Sequence, residues 1–391
     1  MNKHAFLIIL PALLLLPLNA ENDRAYVEIP VRVFNDGGFV DSLTEDDFIV
    51  NENGEQQKIE AVYLVDRNRI RKTVGKQDIN PIVSRNFILV FQAREYTSKI
   101  GDALEYFFNN VLLPGDQLTL MTPLRPYGFS GALLATAGKK ELIAKADTVL
   151  KRDIAIAATN YCIILDDMKD TIVKMGGGNI VKDQNCILGV TGNDVKTYLS
   201  KYRQHLENLE KLQPLTEPLL MKFANALKTQ KGRNIIYLFY QQEYRPIPNR
   251  NVLDTMGQAA SLNFDKVELF ESERIKESID MGKVINAFSD ASTTVHFLFI
   301  TEKTGQNSET PMKNHSEDMY NTLSKIARET NGIVESSAAP LAALKKAVEN
   351  SKNYYLVCYK KNQSRSPGEF KKIEVRLKQG DYKILHSTGH Y

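Results

Sequence analysis

The chain has 391 residues, with 50 Lys or Arg and 47 Asp or Glu, so its formal net charge at pH 7 is only +3. Charges of both signs are interspersed, and no clustered basic face or aromatic–glycine motif is present, which argues against nucleic-acid binding. A chain of this length suits one large or two moderate domains.

The first twenty residues have the pattern of a secretory signal peptide. Lys3 lies in a short basic start, an apolar core runs from Ala5 to Leu18, and Ala20 precedes a polar segment. The core is short for a membrane span and contains two prolines, so we expect cleavage after Ala20 rather than anchoring. No later apolar run is long enough to cross a bilayer. The sequence therefore predicts a secreted or periplasmic protein with no transmembrane span after cleavage.

Residues 21–80 carry the signals of strands and hairpins. Valine and isoleucine alternate with other residues from 27 to 33, and turn residues follow at 36–38 and at Asn53-Gly54. The segment 66–81 is polar and breaks the alternation. We therefore predict an N-terminal β segment that ends in a linker or exposed connection.

From residue 82 the pattern changes to buried strands that alternate with helices. Apolar runs that predict strands buried on both faces occupy residues 87–91, 117–122, 234–240 and 294–300. Helical spacing predicts helices over residues 139–152, 321–333 and 340–350. Such alternation predicts an α/β domain over residues 82–350, in which helices flank a mostly parallel sheet.

Between the second and third of these strands lies more chain than a crossover needs. The segment from about 159 to 230 has two helical stretches separated by a glycine-rich loop, which predicts a helical insertion. Two interpretations remain open for it. It is either a helical hairpin packed on the domain or an arm that docks a partner.

Residues 353–391 return to strand signals. The apolar run 354–360 is followed by a polar turn and by alternating residues from 370 to 377. The strands at both chain ends need a sheet partner. We therefore predict that the C-terminal and N-terminal segments pair to form one small β domain.

Three cysteines are present. Cys162 and Cys186 lie on either side of the glycine-rich loop, and Cys358 lies in an apolar strand. In an oxidising compartment the simplest arrangement is a Cys162–Cys186 disulfide and one buried thiol.

Taken in order, these segments resemble the bacterial secreted proteins related to von Willebrand factor type A. Residues 31–59 are similar to the N-terminal signature of that family, and residues 353–384 to its closing strands. Residues 112–122 and 326–336 are similar to its second strand and a late helix. The resemblance implies a Rossmann-like type A domain beside a small β domain, in a protein that binds other proteins rather than an enzyme.

Type A domains that bind a metal place Asp-x-Ser-x-Ser after the first strand, a Thr on a second loop and an Asp after a later strand. This chain has Phe-Gln-Ala-Arg-Glu at 91–95 and Gln241-Gln242 at the later position, while Thr159 matches the middle Thr. Arg94 would repel a cation placed there. The departure predicts a degenerate adhesion site with no metal and no cofactor.

The loops after these strands can still bind a partner. The side chains that we expect to do so are Gln92, Arg94, Glu95, Tyr96, Gln241, Gln242 and Tyr244. Aromatic and Arg side chains are favoured at the centres of interfaces. The alternative is a rim that has no partner.

No nucleotide-binding loop, serine-hydrolase elbow or zinc-protease motif occurs in the sequence. We therefore predict no catalytic residue, and an exported, non-enzymatic module that binds a protein or a cell-envelope component. Three alternatives remain open. They are metal-dependent adhesion through an atypical site, a secreted hydrolase with an unrecognised site, and a structural subunit of an envelope assembly.

Overall fold

The structure is a computed structural model that describes residues 25–75, 79–177, 191–212, 216–260, 279–302, 310–361 and 370–390. The predicted signal peptide and Cys186 lie outside these ranges. Within them, no helix combines the length and the apolar character that crossing a membrane requires.

The strands in the described ranges are β1 (Tyr26–Asn35), β2 (Gly38–Phe39), β3 (Phe48–Glu52), β4 (Glu55–Gln57), β5 (Ile59–Asp66), β6 (Arg69–Gly75), β7 (Arg85–Gln92), β8 (Gln117–Met121), β9 (Pro126–Phe129), β10 (Arg233–Gln241), β11 (Tyr244–Pro246), β12 (Thr293–Ile300), β13 (Met312–Asn314), β14 (Val334–Ser337), β15 (Asn353–Lys360), β16 (Lys371–Leu377), β17 (Lys383–His386) and β18 (Gly389–His390).

The α-helices in the same ranges are α1 (Ser98–Tyr106), α2 (Gly131–Thr136), α3 (Lys139–Met175), α4 (Gly192–Lys211), α5 (Glu217–Lys228), α6 (Arg250–Ala260), α7 (Met281–Asp290), α8 (Glu317–Glu329) and α9 (Pro340–Ser351). A short 3-10 helix lies at Glu45–Asp47, and α1 continues as a π-helical turn over Phe107–Val111.

A six-stranded sheet lies at the centre of the molecule, in the order β14-β12-β10-β7-β8-β9. Its neighbouring strands are parallel except for β8 and β9. β7, β10 and β12 are buried along their whole length, as expected from their unbroken apolar runs. In the register of β7 and β10, Arg85 lies beside Arg233 and Gln92 beside Tyr240. The loops that follow these two strands therefore lie next to each other.

Helices cover both faces of this sheet. Phe87 and Phe91 of β7 pack on one face with α1, α9 and the first half of α3. Ile88 and Val90 pack on the other face with α5, α7 and α8. Alternate side chains of a strand point to opposite faces, so a single apolar run supplies both cores.

Both chain ends build two larger antiparallel sheets. One has the order β17-β1-β15-β5-β6 with β2 paired to β1, and the other has the order β18-β16-β3-β4. An apolar core that includes Val31, Val50 and Val375 lies between the two sheets. Asn53 and Gly54 join β3 to β4 with φ angles of 51° and 85°, the left-handed conformation of a tight two-residue hairpin turn.

The fold class predicted from the sequence is wrong. Ten of the fourteen strand pairings in the described chain are antiparallel, and parallel pairing is confined to β14, β12, β10, β7 and β8. Twelve of the eighteen described strands belong to sheets that are antiparallel throughout. A Rossmann-like type A domain with a small β addition therefore does not describe this chain, because hairpins and pairing of the chain ends produce most of its sheet structure. The predicted bounds at residues 82 and 350 remain predictions.

The segment 66–81, predicted to be a linker or an exposed connection, contains a strand. β6 pairs antiparallel with β5, and most of its residues are exposed. An edge strand with basic side chains is polar because one side faces water, and such charges disfavour pairing with another chain. The polar composition therefore indicates an edge strand here.

The helical insertion has no boundary near residue 159. α3 runs without a break from Lys139 to Met175, so the predicted helix 139–152 and the first part of the insertion are one helix. Its second half packs on α4 and α6 through Met168, Tyr202 and Met256. The insertion is thus packed onto the body of the protein.

Candidate functional site

The candidate site lies where β7 and β10 end at their carboxyl termini. The predicted rim consists of Gln92, Arg94, Glu95, Tyr96, Gln241, Gln242 and Tyr244. Glu95 is exposed, Gln92 and Gln241 are buried, and the other four are half-buried. The structure brings the two loops together, and several of these side chains contact other residues of the chain.

Gln241 ties the first loop to the second. Its Oε1 accepts hydrogen bonds from the backbone N–H groups of Arg94, at 2.6 Å, and Glu95, at 2.9 Å. Its Nε2 donates to a carboxylate oxygen of Glu302, which follows β12. A single buried amide therefore fixes the ends of three neighbouring strands relative to one another.

Arg94 forms an ion pair inside the rim. Its Nε lies 2.6 Å from Oε1 of Glu243, and the two side chains are only 11% and 7% exposed. Tyr240 donates its hydroxyl to the second oxygen of Glu243 at 3.2 Å. Burial and the nearby Glu243 raise the pKa of Tyr240 well above its usual value, so this hydroxyl stays a donor.

Helix α3 covers this ion pair. Tyr161 donates its hydroxyl to the carbonyl of Tyr244 at 2.7 Å and accepts from the N–H of Tyr244 at 3.1 Å. The guanidinium of Arg94 lies 4.8 Å from the centre of the Tyr161 ring, within the range of a cation–π contact. Burial, followed by Glu243, raises the pKa of Tyr161. Tyr161 thus bonds both backbone polar groups of Tyr244, and these two bonds fix α3 to the second loop.

Helix α4 contacts the next part of the same loop. Tyr202 donates to the carbonyl of Pro246 at 2.8 Å and accepts from Nη1 of Arg245 at 2.6 Å. Both Tyr202 and Arg245 are buried. Helices α3 and α4 therefore both contact β11, directly after the carboxyl end of β10.

The two tyrosines of the rim are also engaged within the chain. Tyr96 donates its hydroxyl to Asp147 of α3. Tyr244 donates its hydroxyl to the carbonyl of Glu302 at 3.0 Å. Glu95, at the edge of the rim, is the member that faces water most fully.

At this rim the positive charge beside Glu243 is the guanidinium of Arg94. The guanidinium of Arg94 neutralises Glu243, so that carboxylate is already compensated. Thr159 does not join the rim, because it is exposed on α3 and donates to the carbonyl of Ala155 at 3.1 Å. Among the described residues, no three His, Cys, Asp or Glu side chains are grouped so that they could hold a metal ion.

The sequence reasoning missed Glu243, Tyr161 and Glu302. Glu243 follows the two predicted glutamines directly, and its charge opposite to that of Arg94 was a usable signal. Tyr161 gave no comparable signal, because its role depends on how a distant helix lies across the loop. These residues convert a predicted open rim into a closed network.

The structure describes two of the three cysteines. Cys162 is exposed on α3, and Cys358 is buried in β15, where burial raises the pKa of its thiol to about 12. Cys186 lies outside the described residues, so the Cys162–Cys186 disulfide stays a prediction.

The side of α3 that points away from the rim exposes apolar residues. Ile156 is 49% exposed and Ile163 is 53% exposed. They are seven residues apart, which is two helical turns, so they lie on the same side of the helix. Thr159 is exposed between them, Arg152 precedes them, and Asp166 and Asp167 follow. We call these six residues the outward face of α3.

No family model and no curated protein matches the chain. Among solved structures, the crystal structure of the human COPII-coat protein Sec24c is similar over 78% of this chain, at 6% sequence identity and a TM-score of 0.26. The match spans 43% of that protein, less than half of its length. A likeness this weak carries no argument about fold or function, and the comparisons do not identify a type A family.

Proposed function

We propose that this chain is an exported, non-enzymatic protein-binding module that binds a protein of the cell envelope through the outward face of α3. The observation that carries the proposal is the pair of isoleucines, Ile156 and Ile163, exposed on one side of a helix that is fixed to the body of the protein.

The chemistry of the rim supports a binding role over a catalytic one. A catalytic acid, base or nucleophile needs a reactive group that faces its substrate. Here Arg94 and Glu243 neutralise each other, and Tyr240 and Tyr161 donate to acceptors within the chain. The polar groups at the carboxyl ends of the strands therefore act as a support for α3.

The outward face of α3 has an ordered distribution of charge. Arg152 lies before the isoleucines, and Asp166 and Asp167 lie after them. Arg152 also contacts Asp153, which is buried, yet its own side chain is 48% exposed. The face therefore presents a positive group, an apolar centre and an acidic end along one line, and at that end Asp166 also contacts Lys169 at 3.0 Å.

This order specifies the chemistry of the partner. The complementary surface is an amphipathic helix with an apolar centre, an acidic end that meets Arg152 and a basic end that meets Asp166 and Asp167. Helices bind apolar surfaces through residues spaced at about one and two turns. Charges at the two ends set the orientation and the association rate more than the affinity.

Site-specific photo-cross-linking in the native cell envelope tests the proposal. A photo-reactive phenylalanine analogue is placed at Ile156 or Ile163, and in a matched control at Ile70, which is 40% exposed on β6. We expect a cross-linked product with one defined protein from both α3 positions and none from position 70. We expect that product to disappear when Asp166 and Asp167 are both changed to Lys.

Several outcomes would contradict the proposal. They are no product from either position on α3, an equal product from position 70, and a product that survives the double charge reversal. A product made only of two copies of this chain would show self-association and would also contradict a separate partner.

Export is the second part of the proposal, and it rests on the predicted signal peptide. We expect the protein recovered from the envelope or periplasmic fraction to begin at Glu21, as determined by N-terminal sequencing. Recovery of the protein from the cytoplasm with Met1 retained would contradict export.

A further inference from the structure

A small polar cavity lies at the opposite end of the central sheet from the rim. It has a volume of about 20 Å³ and is located where β10 and β12 begin, against β1 and β17. The residues that line it are Pro30, Arg32, Arg233, Ser289, Ser292, Thr293, Thr294, Thr330, Asn331, Leu385 and Ser387. Two of them are arginines and six carry hydroxyl groups.

Both arginines are buried. Arg32 is 3% exposed and Arg233 is 6% exposed. The guanidinium of Arg32 donates to the carbonyl and the side-chain oxygen of Asn350, at 3.1 Å and 2.8 Å, and to the carbonyl of Asn331. All of these acceptors are neutral, so they satisfy hydrogen bonds without compensating the charge.

The guanidinium of Arg233 has fewer hydrogen-bond acceptors around it than that of Arg32. Its guanidinium lies 4.0 Å from the centre of the Tyr354 ring, and its Nη1 is buried with no hydrogen-bond acceptor in the described chain. Among the described residues that line the cavity, none is an Asp or Glu. A buried charge without a counter-charge is costly, and proteins normally pair it.

Arg85, a neighbouring buried arginine at the same end of the sheet, is paired with a carboxylate. Arg85 lies beside Arg233 in the register of β7 and β10. Its Nε and Nη2 donate to the two carboxylate oxygens of Asp116, at 3.0 Å and 2.6 Å. Among the described residues that line the cavity, none supplies Arg233 with such a carboxylate.

We propose that this cavity binds a single small monovalent anion, with chloride as the physiological candidate, held between Arg32 and Arg233. A cavity of about 20 Å³ accommodates one particle close to the size of a water molecule. That size fits a monatomic halide and is too small for sulfate or phosphate. A water molecule would fill the space but would leave both charges uncompensated.

The pKa values of the groups around the cavity agree with this assignment. Burial, followed by the nearby Arg233, lowers the pKa of Arg32 to about 9. Burial and both arginines also lower the pKa of His296 well below its usual value. An anion between the arginines would reduce this excess of positive charge.

Thermal unfolding in different sodium salts tests the proposal. The purified protein is unfolded at constant ionic strength in sodium gluconate, sodium chloride or sodium bromide. A ligand that binds only the folded state raises Tm, so we expect a saturable rise of several degrees in chloride and bromide. Arg233→Met should abolish this rise. Arg376→Met, at a position that is 70% exposed, should retain it.

Anomalous diffraction from bromide-containing crystals of the unmodified protein provides a test that does not depend on the variant folding. We expect a bromide peak in the cavity between the guanidinium groups of Arg32 and Arg233. The proposal is overturned if the cavity contains no bromide peak. A halide-dependent rise in Tm that persists unchanged in Arg233→Met would overturn it as well, because the anion would then act elsewhere.

Discussion

Two sites with buried arginines, one at each end of the central sheet, differ in their counter-charge. At the carboxyl ends of the strands, Arg94 is paired with Glu243 at 2.6 Å. At the amino ends, Arg32 and Arg233 line one cavity whose described lining residues include no carboxylate. Both regions are buried, so the difference lies in the counter-charge. A compensated charge holds the fold together, whereas an uncompensated one leaves a place for a ligand.

The same comparison explains why the rim is not the surface that we assign to a partner. At the carboxyl end, Arg94 and Glu243 form an ion pair, and the hydroxyl of Tyr161 bonds within the chain. What remains exposed is the other side of the helix that covers them, with Ile156 and Ile163. The rim thus supports the helix that carries the proposed binding surface.

The largest expected effect comes from breaking the compensated pair. Glu243→Gln leaves Arg94 buried without its counter-charge, and removing one partner of a buried ion pair costs about 3–5 kcal/mol. We expect a loss of that size in the free energy of unfolding, measured with urea. Glu95→Gln is the control, because Glu95 is exposed on the same loop, and we expect it to change stability by less than about 0.5 kcal/mol. Similar losses in both variants would show that the ion pair adds nothing.

A smaller loss is expected when the helix is released from the rim. Tyr161→Phe removes the hydroxyl that bonds both backbone groups of Tyr244, and leaving buried polar groups unsatisfied costs about 1–3 kcal/mol. Hydrogen exchange at the amide of Tyr244 should accelerate in this variant. Tyr320→Phe, which removes an exposed hydroxyl, is the control and should leave that exchange rate unchanged. Slow exchange at Tyr244 in both variants would contradict the role of Tyr161.

The two arginines without a counter-charge should make the free energy of unfolding fall at acidic pH, through their effect on His296. The folded-state pKa of His296 lies well below 6.5 because of burial, Arg32 and Arg233. Below about pH 6.5 the unfolded chain binds a proton at this residue that the folded chain does not, so stability falls as the pH falls. The slope for one proton reaches about 1.4 kcal/mol per pH unit.

His296→Gln should reduce this slope between pH 6.5 and 5. His386, whose pKa is also lowered, acts in the same direction in both proteins, so the difference between them isolates His296. Equal slopes in the parent and the variant would show that His296 is not the group responsible.

The smallest effect on stability is expected on the outward face of α3. Changing Ile156 and Ile163 together to Asp removes side chains that are about half exposed. We expect a change in the free energy of unfolding of less than about 0.5 kcal/mol per substitution, as for other surface positions. A loss of several kcal/mol would mean that the two isoleucines belong to the core of this chain and are not available to a partner.

The sequence predicted the strands of the central sheet better than the fold that contains them. β7, β10 and β12 could be located because burial on both faces leaves an unbroken apolar run. The balance of parallel and antiparallel pairing could not be read in the same way. It depends on which distant strands meet, as β1 meets β15, and on edge strands such as β6 whose composition is polar.

The position of the rim was also predictable, but its closed state was not. Loops that follow neighbouring parallel strands must lie together, so Arg94 and Gln241 could be placed at one site. The pairing of Arg94 with Glu243 joins residues 149 positions apart. The cover provided by Tyr161 depends on a 37-residue helix crossing the site. The cavity lined by Arg32 and Arg233 could not be predicted from the sequence, because it forms where two sheets meet.

Replacing one arginine at each end of the sheet by methionine, in chloride-free buffer, tests the central claim most directly. The free energy of unfolding is measured for the parent, Arg94→Met and Arg233→Met. We predict a loss of about 3–5 kcal/mol for Arg94→Met, because Glu243 is left buried and unpaired. We predict a loss of less than about 1 kcal/mol, or a gain, for Arg233→Met, because an uncompensated positive charge is removed and the methionine retains much of the apolar contact. Equal losses in the two variants would contradict the difference between the two ends.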